Sequence, residues 1–216
     1  RQASEFDNVL AGINLEKTSP QKTVQELYAW FTSLPHGQDS LPLTGNPEVD
    51  VLTVGARMEG KISAPLFYHG MVNFQTGEMV DHSRLTITEH DVEAFNLLFN
   101  LDYFVNHRIV RNVGFEVSIS SGNDGDTDRH ETFLPPFASD HNRSGAMDWM
   151  SMMNSKIFTI YLFADLHPKV ETLVEFHKFY LYSGESAWYI GDLSAAWWDG
   201  TEEDKNRWDW PNTKGW

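Results

Sequence analysis

The stretch Thr88–Ser120, TEHDVEAFNLLFNLDYFVNHRIVRNVGFEVSIS, decides the fold to be expected of this chain. Thr88 followed three residues later by Asp91 has the form of a capping box, a hydroxyl and then a carboxylate. Beyond it Val92, Phe95, Phe99 and Tyr103 recur at helical spacing, which predicts a helix over roughly 89–106. Leu97, Leu98, Leu101, Phe104 and Val105 fill much of the remaining circumference, so its second half is expected to be covered on more than one side. The period then changes. Ile109, Val113, Phe115, Val117 and Ile119 alternate with more polar neighbours, the pattern of a half-buried strand, and His107 and Arg111 share their parity.

On the N-terminal side, Val24, Leu27, Tyr28 and Phe31 give one apolar face to a helix expected over 22–34. A loop rich in Pro, Gly and Ser follows, then a strand around Val49, Val51 and Thr53. A hairpin is expected from Leu66 to Ile87, turning at Thr76-Gly77, which would set His69 and His82 diagonally on one face. On the C-terminal side, Asp124, Asp126 and Asp128 lie in a polar loop whose later positions do not continue as a calcium loop. Strands are expected over 157–163 and, after His167-Pro168-Lys169, over 170–182. Residues 1–184 therefore read as one α+β domain, a long helix packed on a curved, mainly antiparallel sheet. An all-β jelly roll or barrel is the alternative. Residues 185–216 read as an acidic tail that holds six of the eight tryptophans and wraps the domain or forms an interface.

Composition narrows the function. With 41% apolar and 13% aromatic residues the chain is globular, and no apolar run reaches the ~20 residues of a membrane-spanning helix. A net charge of −15 argues against nucleic acid and anionic membranes as partners. Cysteine is absent, which removes disulfides, thiolate nucleophiles and cysteine metal sites. There is no nucleophile elbow, phosphate loop or dinucleotide fingerprint. His69 and His82 find no third ligand at a metal-binding spacing, so no metal is expected.

The element order resembles the nuclear-transport-factor-2-like, SnoaL-like cone fold. The likeness is carried by Asn106-His107-Arg108-Ile109-Val110-Arg111-Asn112-Val113 and by Lys169-Val170-Glu171-Thr172-Leu173-Val174-Glu175-Phe176-His177. The resemblance implies a cofactor-independent isomerase, dehydratase or cyclase that moves a proton on a small apolar oxygenated molecule. In that reading His107 is the base, and Arg111 and Tyr103 donate to the developing oxyanion. His69, His82, His177, Tyr180 and Phe115 would line the substrate pocket. The expected protein is soluble, cytoplasmic or secreted, and has no membrane partner; a homodimer is compatible with this reading. A non-catalytic binding or assembly protein, using the tail on a protein or glycan, is the competing class.

Overall fold

A computed structural model describes residues 9–19, 23–34, 48–82, 87–124, 128–135, 151–167 and 169–186. Eight strands form one sheet: β1 (Val9–Thr18), β2 (Val24–Leu34), β3 (Glu48–Ser63), β4 (Leu66–His82), β5 (Ile87–Phe104), β6 (Val110–Ser120), β7 (Ser155–His167) and β8 (Val170–Leu181). Each is antiparallel to the next and their spatial order is their chain order, so the sheet is a simple meander. β1 and β8 are its two edges, and no pairing joins them among the described residues. The connections fall into two classes by rim. One rim has only the short links 19–23, 64–65, 105–109 and 168–169, while the other has 35–47, 83–86 and 121–154. Three register shifts, at Lys61/Ser63, Val110/Asn112 and Asp165/His167, all lie at the short-turn rim, a usual place for bulges in barrels.

The two faces have the polarity opposite to that of a water-soluble sheet. Along β5, Asn96 is fully buried and Asn100 is 8% exposed, while their neighbours Leu97 and Phe99 are each 40% exposed. The register carries the same division across the sheet: Ala29, Val54, Phe74 and Phe95 lie in one outward row, and Tyr28, Gly55, Asn73, Asn96 and Ser120 in the inward row beside it. Ile13, Leu27, Phe74, Ile160 and Phe176 are each more than half exposed on the outer face. An apolar face of this extent, continuous over every strand, is what a lipid-facing wall requires.

The outer face is also banded. On β5 the outward residues Phe95, Leu97, Phe99, Leu101 and Tyr103 are apolar or aromatic, and Glu89, Asp91 and Glu93 before them are charged. Nine residues from Phe95 to Tyr103 rise ~30 Å along the strand, or roughly 23 Å once tilted by ~40°, close to the height of a bilayer-facing band. Tyr68 and Tyr103 stand toward the short-turn rim and Tyr180 and Tyr182 toward the other, where phenols meet the interface.

The α+β cone expected above is overturned, because no helix occurs among the described residues. The all-β barrel alternative fits. Phe95, Phe99 and Tyr103 are four residues apart, a spacing that both a helical stripe and one face of a strand satisfy. β2 misleads in the same way: Val24 and Tyr28 share one face and Leu27 and Phe31 the other. The expected hairpin turn at Thr76-Gly77 is also absent. β4 runs straight through it, and Gly77 leaves room for the Asp50 carbonyl of β3. Strands over 110–120, 155–167 and 170–181 match the sequence expectation.

The lipid-facing assignment predicts the effect of charge at mid-band. Phe99→Arg should destabilise the protein folded in vesicles by about 2–4 kcal/mol, and Phe99→Leu by less than about 1.5 kcal/mol. Reversible denaturant titration in vesicles measures both.

Candidate functional site

The inner face is built from rows of side chains that hydrogen-bond along the register. In the longest, the Tyr28 hydroxyl donates to Asn73 Oδ1 (2.5 Å), Asn73 Nδ2 to Asn96 Oδ1 (3.2 Å), and Asn96 Nδ2 to Ser120 Oγ (2.8 Å). Tyr28 reaches β4 only because Gly55 stands between them on β3, where a Cβ would collide with the ring. Gly12 beneath Trp30 and Gly114 beneath Tyr161 repeat this pairing of a glycine with the aromatic directly opposite. Rings laid flat on backbone keep the wall thin and shield exposed peptide groups. Nearer the short-turn rim, Asn100 Nδ2 donates to the Tyr161 hydroxyl (2.7 Å), and that hydroxyl and Asn112 Nδ2 each donate to Asp102 Oδ1 at 2.8 Å. The polar groups of these rows thus satisfy one another, and the wall is stiffened by them.

The wall is acidic. Among the described residues, register places Glu16, Glu26, Glu59, Asp102, Glu116 and Glu175 on the inner face, against Arg57 and, nearer the short-turn rim, Lys61. Arg57 is already shared by Glu26 (3.3 Å) and Glu59 (3.0 Å). At the short-turn rim, Arg111 lies between Glu171 (3.0 Å) and Asp165 (3.9 Å). Among the described residues no group of His, Asp and Glu is arranged to hold a metal ion.

At the other rim a segment folds inward. β6 pairs with β5 only from Asn96 onward, so the first half of β5 has a free edge on that side. The chain after β6 occupies it: Ser121 N donates to Phe95 O, His130 N to Asp91 O (2.8 Å), and Glu93 N to His130 O (3.1 Å). Asn123 Oδ1 accepts from the backbone of Glu131 and Thr132 and holds the returning chain. Gln75 then clamps Leu134 from the inner face of β4, donating to its carbonyl (2.6 Å) and accepting from its N–H (2.8 Å). Leu134 completes a small apolar cluster with Val49, Val51, Met79, Val92 and Met153 in the mouth of the curved sheet.

An apolar outer band, a polar inner wall, and short turns opposite long loops are the marks of an outer-membrane barrel wall. The family model described as alginate export matches residues 10–208. The chain belongs to the alginate export family. Members of this family are outer-membrane β-barrels. No curated protein matches the chain.

Family membership and the fold together correct several expectations. The cone-fold resemblance falls, since it rested on a helix that is a strand. The isomerase, dehydratase or cyclase reading falls with it, as does the assignment as an enzyme, because the alginate export family is one of transport. The tail-based binding or assembly alternative is not supported either. Soluble localisation and the absence of a membrane partner are also overturned. Membrane crossing was invisible to a search for apolar helices because strands of alternating polarity need no long apolar run.

The residues singled out from sequence are dispersed. His107 sits in the exposed β5–β6 turn, where its Nδ1 accepts from the N–H groups of Ile109 and Val110 at 3.2 Å. Arg111 is at the bulge, 5.4 Å over the Phe163 ring. Tyr103 and Phe115 lie on the outer face, as does Tyr180, edge-on to Phe158. His69 and His177 are on the inner wall, His69 opposite Glu59 and Asn100, and His177 bonded through Nδ1 to Thr159 Oγ1 (2.9 Å). The His82 side chain and residues 187–216 lie outside the described residues. Sequence reading missed Gln75, Asn96, Tyr161 and His130. The alternation of Asn96, Leu97, Leu98, Phe99 and Asn100 with Asp102 was the available signal.

The clamp yields a direct expectation. Gln75→Leu leaves the buried Leu134 N–H and C=O without partners, at about 1–3 kcal/mol each. Proteolysis between 128 and 135 should accelerate at least tenfold, with the circular dichroism of the sheet unchanged.

Proposed function

We propose that the chain forms wall of a porin-like outer-membrane barrel that passes hydrophilic solutes along its polar face. The inverted polarity of the sheet carries this reading, since it pairs a lipid-compatible exterior with an interior of hydrogen-bonded amides, hydroxyls and carboxylates. Membership of the alginate export family supports it. No covalent chemistry is required of such a wall. Its contribution is the shape and field of the path.

The field sets a preference among solutes. Alginate, for which the family is named, is a polyuronate, and its passage calls for cationic side chains along the path. The described wall has the opposite sign, with six carboxylates, Glu16, Glu26, Glu59, Asp102, Glu116 and Glu175, against Arg57 and Lys61. Fixed charge in a confined, poorly screened path repels co-ions. We therefore assign neutral and cationic hydrophilic solutes to this arc of wall in preference to polyanions.

Reversal potentials in planar bilayers under a potassium chloride gradient test both points. Cation permeability should exceed anion permeability several-fold, and Glu116→Gln with Glu175→Gln should lower that ratio. Anion preference would overturn the charge assignment. The absence of any ion passage would overturn the pore itself.

A further inference from the structure

We propose that the strap Asp128–Pro135 is an acid-released constriction at the mouth of the path, a proposal that rests on the pore reading above. The strap belongs to the long-loop rim, starts along the free edge of β5 and crosses inward to Gln75 on the inner face of β4, and it is fastened at three points. These are the backbone bridge of His130 to Asp91 and Glu93, the Arg129–Glu93 ion pair, and the Gln75 clamp on Leu134. Its own Phe133 and Leu134 are buried.

The middle fastening includes a group whose protonation is opposed where it lies. The His130 ring is 6% exposed, and its Nε2 is buried without a hydrogen-bond partner. On β5 the ring is faced by His90, whose Nδ1 meets the Asp128 carbonyl at 3.0 Å. Of the carboxylates on the same elements, Glu93 is taken by Arg129, Asp91 lies on the outward side of β5, and Glu131 accepts from the Asp124 N–H. Asp128 is exposed. The cluster from β3, β4 and the approach to β7 contributes Val49, Val51, Met79 and Met153, with no charge. Among the described residues no anion is therefore placed to compensate a protonated His130.

Burial, and then the proximity of His90, holds the His130 imidazolium down to about 4 from its ordinary 6.5. The released strap, with its histidine in water, binds a proton on passing below 6.5, and the closed strap does not until about 4. Closure is therefore strongest above 6.5, weakens as pH falls toward 4, and loses nothing further below that. Between pH 7.5 and pH 5 the opening constant should rise roughly 30-fold.

Hydrogen exchange on the protein in phosphatidylcholine vesicles tests the release, with rates corrected for intrinsic pH dependence. The reporters are the His130, Thr132 and Leu134 amides, with Leu97–Leu101 of β5 as internal standard. Strap protection should fall roughly 30-fold from pH 7.5 to pH 5 while β5 is unchanged, and His130→Gln should abolish the difference. Protection that does not vary with pH, or an equal fall in His130→Gln, overturns the proposal. Should that variant not fold, His90→Gln decides, since removing the neighbouring charge must shrink the fall. Bilayer conductance is the second readout. A rise over the same pH range supports a constriction, and constant conductance with a loosening strap overturns it. A protein passing no ions at any pH overturns the pore reading, on which the exchange result does not depend.

Discussion

A slip of one residue in any of the seven strand pairings would exchange the lipid-facing set for the lumen-facing set on every strand beyond it. Register is thus the constraint from which the rest follows. It aligns Tyr28, Gly55, Asn73, Asn96 and Ser120 into one hydrogen-bonded row, and it keeps Val54, Phe74 and Phe95 together outside. Register is in turn pinned by those side chains. A shifted β4 would bring Phe74 inward against the Tyr28 ring and leave Asn73 in hydrocarbon. The glycines opposite Trp30, Tyr28 and Tyr161 act as a second lock, because each aromatic fits only over a residue without a Cβ.

The alternation of the strands was legible in β6, where Val113, Phe115 and Val117 admit only one period. It was not legible in β5 or β2, where the prominent apolar residues are four apart and fit a strand face and a helical stripe alike. Alternation also says nothing of which side faces water. A sheet in water and a sheet in lipid have the same period and opposite polarity, so Asn96, Asn100 and Asp102 become wall rather than surface only when the exterior is known to be apolar. The candidate site was the least legible part. Gln75 and Tyr161 act through partners 59 and 61 residues distant in sequence, and no local spacing announces them.

Charge has different meanings on the two faces. The net charge of −15 argues against an anionic membrane surface as a partner, yet the outer band carries almost none of it. Within the described strands the carboxylates are sorted to the inner wall and to the strand ends beyond the apolar band, which reconciles a polar composition with a bilayer. The strap at the mouth follows the same sorting: its charged residues face water or one another, and its apolar ones face inward.

The two sheet edges have a consequence for biogenesis. Each edge strand has ten or more residues, and about half of its backbone N–H and C=O groups point away from the one neighbour it has among the described residues. In hydrocarbon each such group costs several kcal/mol, so neither β1 nor β8 can enter the bilayer core while its outer edge is bare. Insertion strand by strand is therefore closed to this wall. Both edges must acquire hydrogen-bonding partners before or while the apolar band leaves water, which makes transfer into the membrane and completion of the ring one event.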